Sequence, residues 1–178
     1  MDRIASARAV IFDLRGRPND NHQILSHLLR HPDDANAWMA IPQIIRPDSP
    51  SSPASWKTSG WNLPTTPPRI QGRVVFLTGP NAISYSESVM GLVEYYGLGA
   101  IVGEPTAGTN GDIAEISEPT GCTTLFTGRR VTKPDGSRHY LDGIRPTIPA
   151  TRTIAGVVAG RDEVLERALD YLRRGSGN

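Results

Sequence analysis

The chain has 178 residues, 38% hydrophobic and 21% charged, with 19 basic and 18 acidic side chains and a net charge of +1. That size and balance fit one globular domain with its own core, and no basic block argues for nucleic acid or an anionic membrane as partner. A single cysteine, Cys122, excludes an internal disulfide framework and a cysteine-rich zinc site, and no run approaches the roughly 18 apolar residues of a membrane span.

Met1–Arg8 lacks the apolar centre of a signal peptide and leads straight into a core-type strand, as if cut from a longer protein, so the compartment is not readable. Ala9–Leu14 is a nearly continuous apolar run, the mark of a strand covered on both faces. The polar turn Arg15–Asn21 follows, with Asn19 or Asn21 as a cap, and Ile24, Leu25, Leu28 and Leu29 then give a helical stripe to about Arg30. His22, His27 and His31 lie on or beside that helix; no carboxylate or cysteine cluster completes a metal site, so they read as a solvated face.

Pro32–Arg69 is rich in proline, serine and threonine but carries Trp38, Trp56 and Trp61, which favours a segment docked on the domain over a disordered one. A short strand is expected at Met39–Ile41. Val74–Thr78 is a second buried strand, broken by Gly79-Pro80-Asn81. A helix is expected over Ser84–Tyr96, stopped by Gly97, and a third strand over Ala100–Gly103. Strand-like pieces follow near Cys122–Phe126, Arg129–Val131 and His139–Leu141, two of them joined as a hairpin by the turn Lys133–Ser137. Cys122 is expected to be a buried free thiol. Asp162 opens a last helix lined by Leu165, Ala168, Leu169 and Leu172. Strand, helix, strand, helix, strand is the order of βαβ units on one sheet, so the fold class is α/β with a hairpin extension and a closing helix, and residues 1–178 form a single domain.

In such folds ligands gather beyond the carboxyl ends of the strands. One such corner reads Gly79-Pro80-Asn81-Ala82-Ile83-Ser84-Tyr85-Ser86-Glu87. A serine at a helix N-terminus sits among free backbone amides and the positive end of the dipole, as an acyl-transfer nucleophile requires. Ser84-x-x-Glu87 matches a capping box equally well, in which the serine only satisfies the helix end. The other corner, Asp13–Asn19, offers Gly16 and further amides for a second oxyanion bond, or an ordinary capped turn. Glu104–Gly111 is glycine-rich but lacks the spacing and lysine of a phosphate loop. His139, beside Asp142, is the histidine to consider as a general base, or a strand-end residue with no catalytic part.

Asp13-Leu14-Arg15-Gly16, Ala82–Glu87, Val102–Gly108, Gly143–Pro146 and Gly160-Arg161-Asp162, in that order, resemble the tail-specific, or C-terminal processing, serine peptidases, from about Ala9 to the C-terminus. The resemblance implies a twisted sheet flanked by helices like that of ClpP and crotonase, and peptide hydrolysis through an acyl-enzyme with no metal or organic cofactor. It makes Ser84 the nucleophile, with the backbone N–H of Tyr85 and one from Gly16–Asn19 as oxyanion donors. In the better-known branch a downstream lysine is the base, but Thr109 stands there, and a threonine cannot deprotonate a serine. The other branch resembles the core of tricorn protease, where a histidine from an earlier segment activates the serine and a later carboxylate assists. That carboxylate's place falls near Tyr140, with Asp142 the nearest acid.

These expectations put the base on a histidine upstream of Met1, with His139 as the in-chain alternative and a polypeptide as substrate. A peptide-binding or scaffolding relative without activity is the first rival, and an acyl-CoA hydratase or hydrolase, for which no adenine pocket is visible, the second. Export is an expectation by family analogy only, and oligomeric state stays open.

Overall fold

The computed structural model describes residues 1–16, 20–43 and 55–175. In chain order its elements are α1 (Asp2–Ala5), β1 (Ala9–Asp13), a 3₁₀ helix (His22–His27), β2 (Met39–Gln43), β3 (Ser55–Ser59) and β4 (Arg73–Thr78). They continue with α2 (Tyr85–Tyr96), β5 (Ala100–Gly103), β6 (Asp112–Ser117), β7 (Thr123–Val131), β8 (Ile148–Pro149), α3 (Ile154–Val158) and α4 (Glu163–Arg174). Two four-stranded sheets result, a parallel one in the order β1-β4-β5-β8 and an antiparallel one in the order β3-β2-β7-β6.

The parallel sheet is the core, and β4 shows why its residues are apolar on both sides. Phe76 packs with Val89, Met90, Leu92 and Val93 of α2, while Val75 and Leu77 pack with Val164, Ala168 and Leu172 of α4. Successive side chains point to opposite faces of a strand, so one apolar run serves both helices. Each fully buried side chain of this kind contributes about 2 kcal/mol. Register sets β1 against β4 from Ala9↔Arg73 to Asp13↔Leu77, and β4 against β5 from Val75↔Ala100 to Thr78↔Gly103. The carboxyl ends of β1, β4 and β5 therefore align, and the turn before α2 leaves from that edge. Among the described residues no helix is long and apolar enough to cross a membrane.

The expected α/β class, the strand at Met39 and the closing helix are all present. The proline-rich segment docks, where described: Trp38 and Leu63 are buried in the core around α2, and Asp33 accepts from the Leu63 amide.

Some expectations are corrected. The first helix is 3₁₀, with Leu25 O accepting from both Leu28 N and Leu29 N; that tighter turn still buries Leu25, Leu28 and Leu29 together. His139–Leu141 is a turn, not a strand, because Asp142 N and Gly143 N both fold back to His139 O. The long hairpin is β6–β7, turned at Glu118–Gly121, and the Lys133–Ser137 turn closes only a single bridge between Thr132 and Arg138. Cys122 is exposed, because it sits at the tip of β6–β7, where none of the described residues forms a second layer over the strands. Strands β3, β6 and β8 and helices α1 and α3 are additional to the expected elements. The Arg17–Asn19 part of the first turn, and with it the possible cap at Asn19, lies outside the described residues.

Candidate active site

Ser84 is the N-cap of α2, half-buried at the point where the chain turns from β4 into the helix. An ordinary N-cap lies in the extended region. Ser84 has φ 51° and ψ −112°, a left-handed backbone for a residue that is not glycine. Such a backbone costs on the order of 1–3 kcal/mol and persists only where its surroundings hold it.

Those surroundings centre on Glu87. Ser84 and Glu87 form the reciprocal arrangement of a capping box: the Ser84 side chain faces the Glu87 backbone N–H, and Glu87 Oε2 accepts from Ser84 N at 3.2 Å. The Glu87 carboxylate is fully buried and also accepts from Thr106 Oγ1 (2.7 Å), Gly108 N (2.7 Å) and Thr109 N (2.9 Å). A buried carboxylate is tolerated only with such a set of donors. Here it ties the loop after β5 to the first turn of α2.

The same loop is tied to the segment after the Lys133 turn. Ile144 N donates to Thr106 Oγ1 at 2.8 Å, and Leu141 N donates to Gly108 O at 2.8 Å. The approach is close enough to demand glycine: a Cβ on Gly143 (φ 59°) would stand 2.6 Å from Thr106 Oγ1. Thr109 thus lies against the Ser84 corner through Glu87, its hydroxyl 3.5 Å from the oxygen that holds Ser84 N.

The turn after β1 is brought to the same corner. Ser86 is fully buried and donates from Oγ to Leu14 O at 2.8 Å, while Leu14 N donates to Leu77 O. Gly16 follows two residues later, and none of the described residues beyond its chain neighbours comes within 4 Å of a Cβ placed there. Arg15 points away: its guanidinium pairs with Asp13 at 2.6 Å and with Asp162 at 2.8 Å. An apolar cavity of about 460 Å³, bordered by Phe12, Leu14, Ile24, Leu25, Phe76 and Val89, lies against this end of β1.

Tyr85, the residue after Ser84, sits under an aromatic group that sequence reasoning did not assemble. Its ring meets Trp61 and His22, and His22 stacks on Trp61 with centroids 4.1 Å apart. The signal was only the tryptophans within a proline-rich stretch.

His139 and Asp142 do not come together. His139 is 1% exposed, its ring meets the backbone of α2 at Gly91, and Nδ1 lies 3.3 Å from Asn110 Nδ2. Burial pushes its imidazole below the ordinary 6.5, against the opposing charge of Glu87. Asp142 is exposed and pairs with Arg138 at 2.9 Å.

A sequence model of peptidase family S41 matches residues 2–150. No curated protein matches. Among solved structures, the chain resembles a protein from Parabacteroides merdae described as a peptidase, with a TM-score of 0.67 at 18% identity over 93% of this chain and 52% of that one. It resembles tricorn protease with a TM-score of 0.59 at 18% identity, over 98% of this chain and 16% of that one. It also resembles mature CPAF, with a TM-score of 0.66 at 14% identity over 97% and 44%. At these identities the likeness shows the fold, a mixed α/β architecture with a parallel and an antiparallel sheet, which is consistent with the ClpP- and crotonase-like sheet that the resemblance implied. The chain spans about half the length of these structures or less.

Proposed function

The chain belongs to peptidase family S41, and from that premise we propose that it is the nucleophile-bearing core of a serine endopeptidase, hydrolysing peptide bonds through an acyl-enzyme on Ser84. The observation that carries this reading is the backbone of Ser84. A residue serving only as a cap has no use for a strained left-handed conformation.

In the reaction, Ser84 Oγ attacks the scissile carbonyl while a base takes its proton. The Tyr85 N–H and one amide of the Gly16 turn hold the oxyanion. The base returns the proton to the leaving amine, and water then attacks the ester to free Ser84. The chain's own part is to aim the hydroxyl and hold the two donors; the cavity beside Leu14 would take an apolar side chain of the substrate.

The base is assigned to a histidine outside residues 1–178, in keeping with the greater length of the matched structures. His139 is packed against the middle of α2, about two turns from Ser84, and Asp142 is engaged by Arg138. The rival, a relative that binds peptide without cleaving it, draws on Thr109, which stands where one branch keeps its lysine. A fluorophosphonate probe on the full-length protein separates the two. Labelling abolished by Ser84→Ala supports the peptidase; an unlabelled full-length protein supports the binder.

A further inference from the structure

The residue that follows Ser84 has a side chain with an unexplained environment. Tyr85 Oη accepts from the backbone N–H of His22 at 3.0 Å and also from that of Asn21. Its single hydrogen is then left for the ring nitrogen 2.6 Å away, His22 Nδ1. Nδ1 is therefore the acceptor, and the neutral imidazole carries its proton on Nε2. Trp61 covers the pair, stacked on His22 and tilted against Tyr85 at 5.4 Å. One residue on, Ser86 Oγ grips Leu14 O. Two consecutive side chains, both directly after Ser84, thus hold the chain on either side of the turn that contains Gly16.

We propose that His22 is a positioning residue for the oxyanion site: with Tyr85 it forms a clamp that fixes the Gly16 turn against the N-terminus of α2. This rests on the serine-peptidase reading. The geometry asks for a clamp because the two oxyanion donors come from separate elements, Tyr85 on α2 and Gly16 after β1. Only the position of one relative to the other makes them a pair. Ser86 fixes the near flank of the turn. The far flank has the Tyr85–His22 contact, and Trp61 keeps water from competing for it.

The test uses the full chain and a fluorophosphonate at several concentrations, which separates probe affinity from the rate constant of Ser84 modification. His22→Phe and Tyr85→Phe each keep an aromatic ring under Trp61 and remove the O–H···N bond. Each is expected to lower the rate constant about tenfold, with affinity changed less than about twofold. The double variant should be no slower than Tyr85→Phe, since that change already removes the bond lost in His22→Phe together with the two that Tyr85 Oη accepts from the backbone. His22→Asn, which can set Oδ1 where Nδ1 stood, should restore the rate to within about threefold of the parent. Additive losses, an Asn variant as slow as the Phe variant, or a Phe variant as fast as the parent would each overturn the clamp.

If the parent itself does not label, the serine-peptidase reading fails separately, and the clamp is read by amide exchange. The Gly16 and Asn21 amides should then exchange about tenfold faster in Tyr85→Phe than in the parent. Equal exchange overturns the proposal.

Discussion

Ser86 Oγ donates to Leu14 O at 2.8 Å, across 72 residues of sequence and inside a fully buried contact. The bond joins the second residue after the candidate nucleophile to Leu14, the residue that follows β1. It is therefore a structural link and a ruler, because it sets how far the Gly16 turn stands from α2. Ser86→Ala should cost about 1–2 kcal/mol in unfolding free energy, read from denaturant midpoints. It should also slow the labelling of Ser84. A variant that loses stability and labels at the parent rate would show that the spacing is held by other contacts.

Glu87 is the more sensitive position. Glu87→Gln keeps the shape but turns an amide NH₂ toward some of the donors that the carboxylate accepts. A loss of about 3 kcal/mol is expected, from weakened charge-assisted bonds and at least one unpaired buried donor. Thermal unfolding measures it, and a shift of less than a degree or two would mean the loop after β5 is held by its contacts with residues 141–144.

Thr109→Ala should do little. Its hydroxyl lies at the long limit of hydrogen bonding to Glu87, while the backbone amide, which the substitution leaves intact, makes the 2.9 Å bond. Labelling of Ser84 should stay within about twofold of the parent. A loss as complete as that of Ser84→Ala would place Thr109 in the proton transfer and overturn the assignment of the base.

Burial holds His139 and His22 below the ordinary imidazole value of 6.5. The unfolded chain therefore binds protons in a range where the folded chain does not, and stability rises with pH there. The contribution is complete above about pH 6.5 and is lost as pH falls below it, by up to about 1.4 kcal/mol per unit for each histidine. Denaturant unfolding between pH 7.5 and 5 should show that slope. It should be shallower in His139→Gln, and an unchanged slope would mean that other groups carry it.

The core of this fold was legible because one strand, β4, has to be apolar at four successive positions, Val74–Leu77, to serve a helix on each face. The Ser84 corner was legible as a position and not as a geometry. Ser84-x-x-Glu87 has the same letters in a cap and in an active site, and only the left-handed backbone separates them. Cys122 misled because an alternating strand reads the same whether or not a second layer covers it. The aromatic group over Tyr85 joins residues 22, 61 and 85, and no local pattern announces a contact of that range. For His139 and Asp142, three residues of separation suggested a pair; the turn at Leu141 (φ 68°) instead accompanies an Arg138–Asp142 pairing across it.

Arg15 takes Asp162 by both nitrogens at 2.8 Å, and Asp162 in turn accepts from Leu165 N at the start of α4. A cut just before Asp162, removing it with α4, would strip Arg15 of one of its two carboxylates and uncover the Val75–Leu77 side of the sheet in one stroke. Damage at the tail of the polypeptide would thus be felt beside Gly16, almost at its beginning.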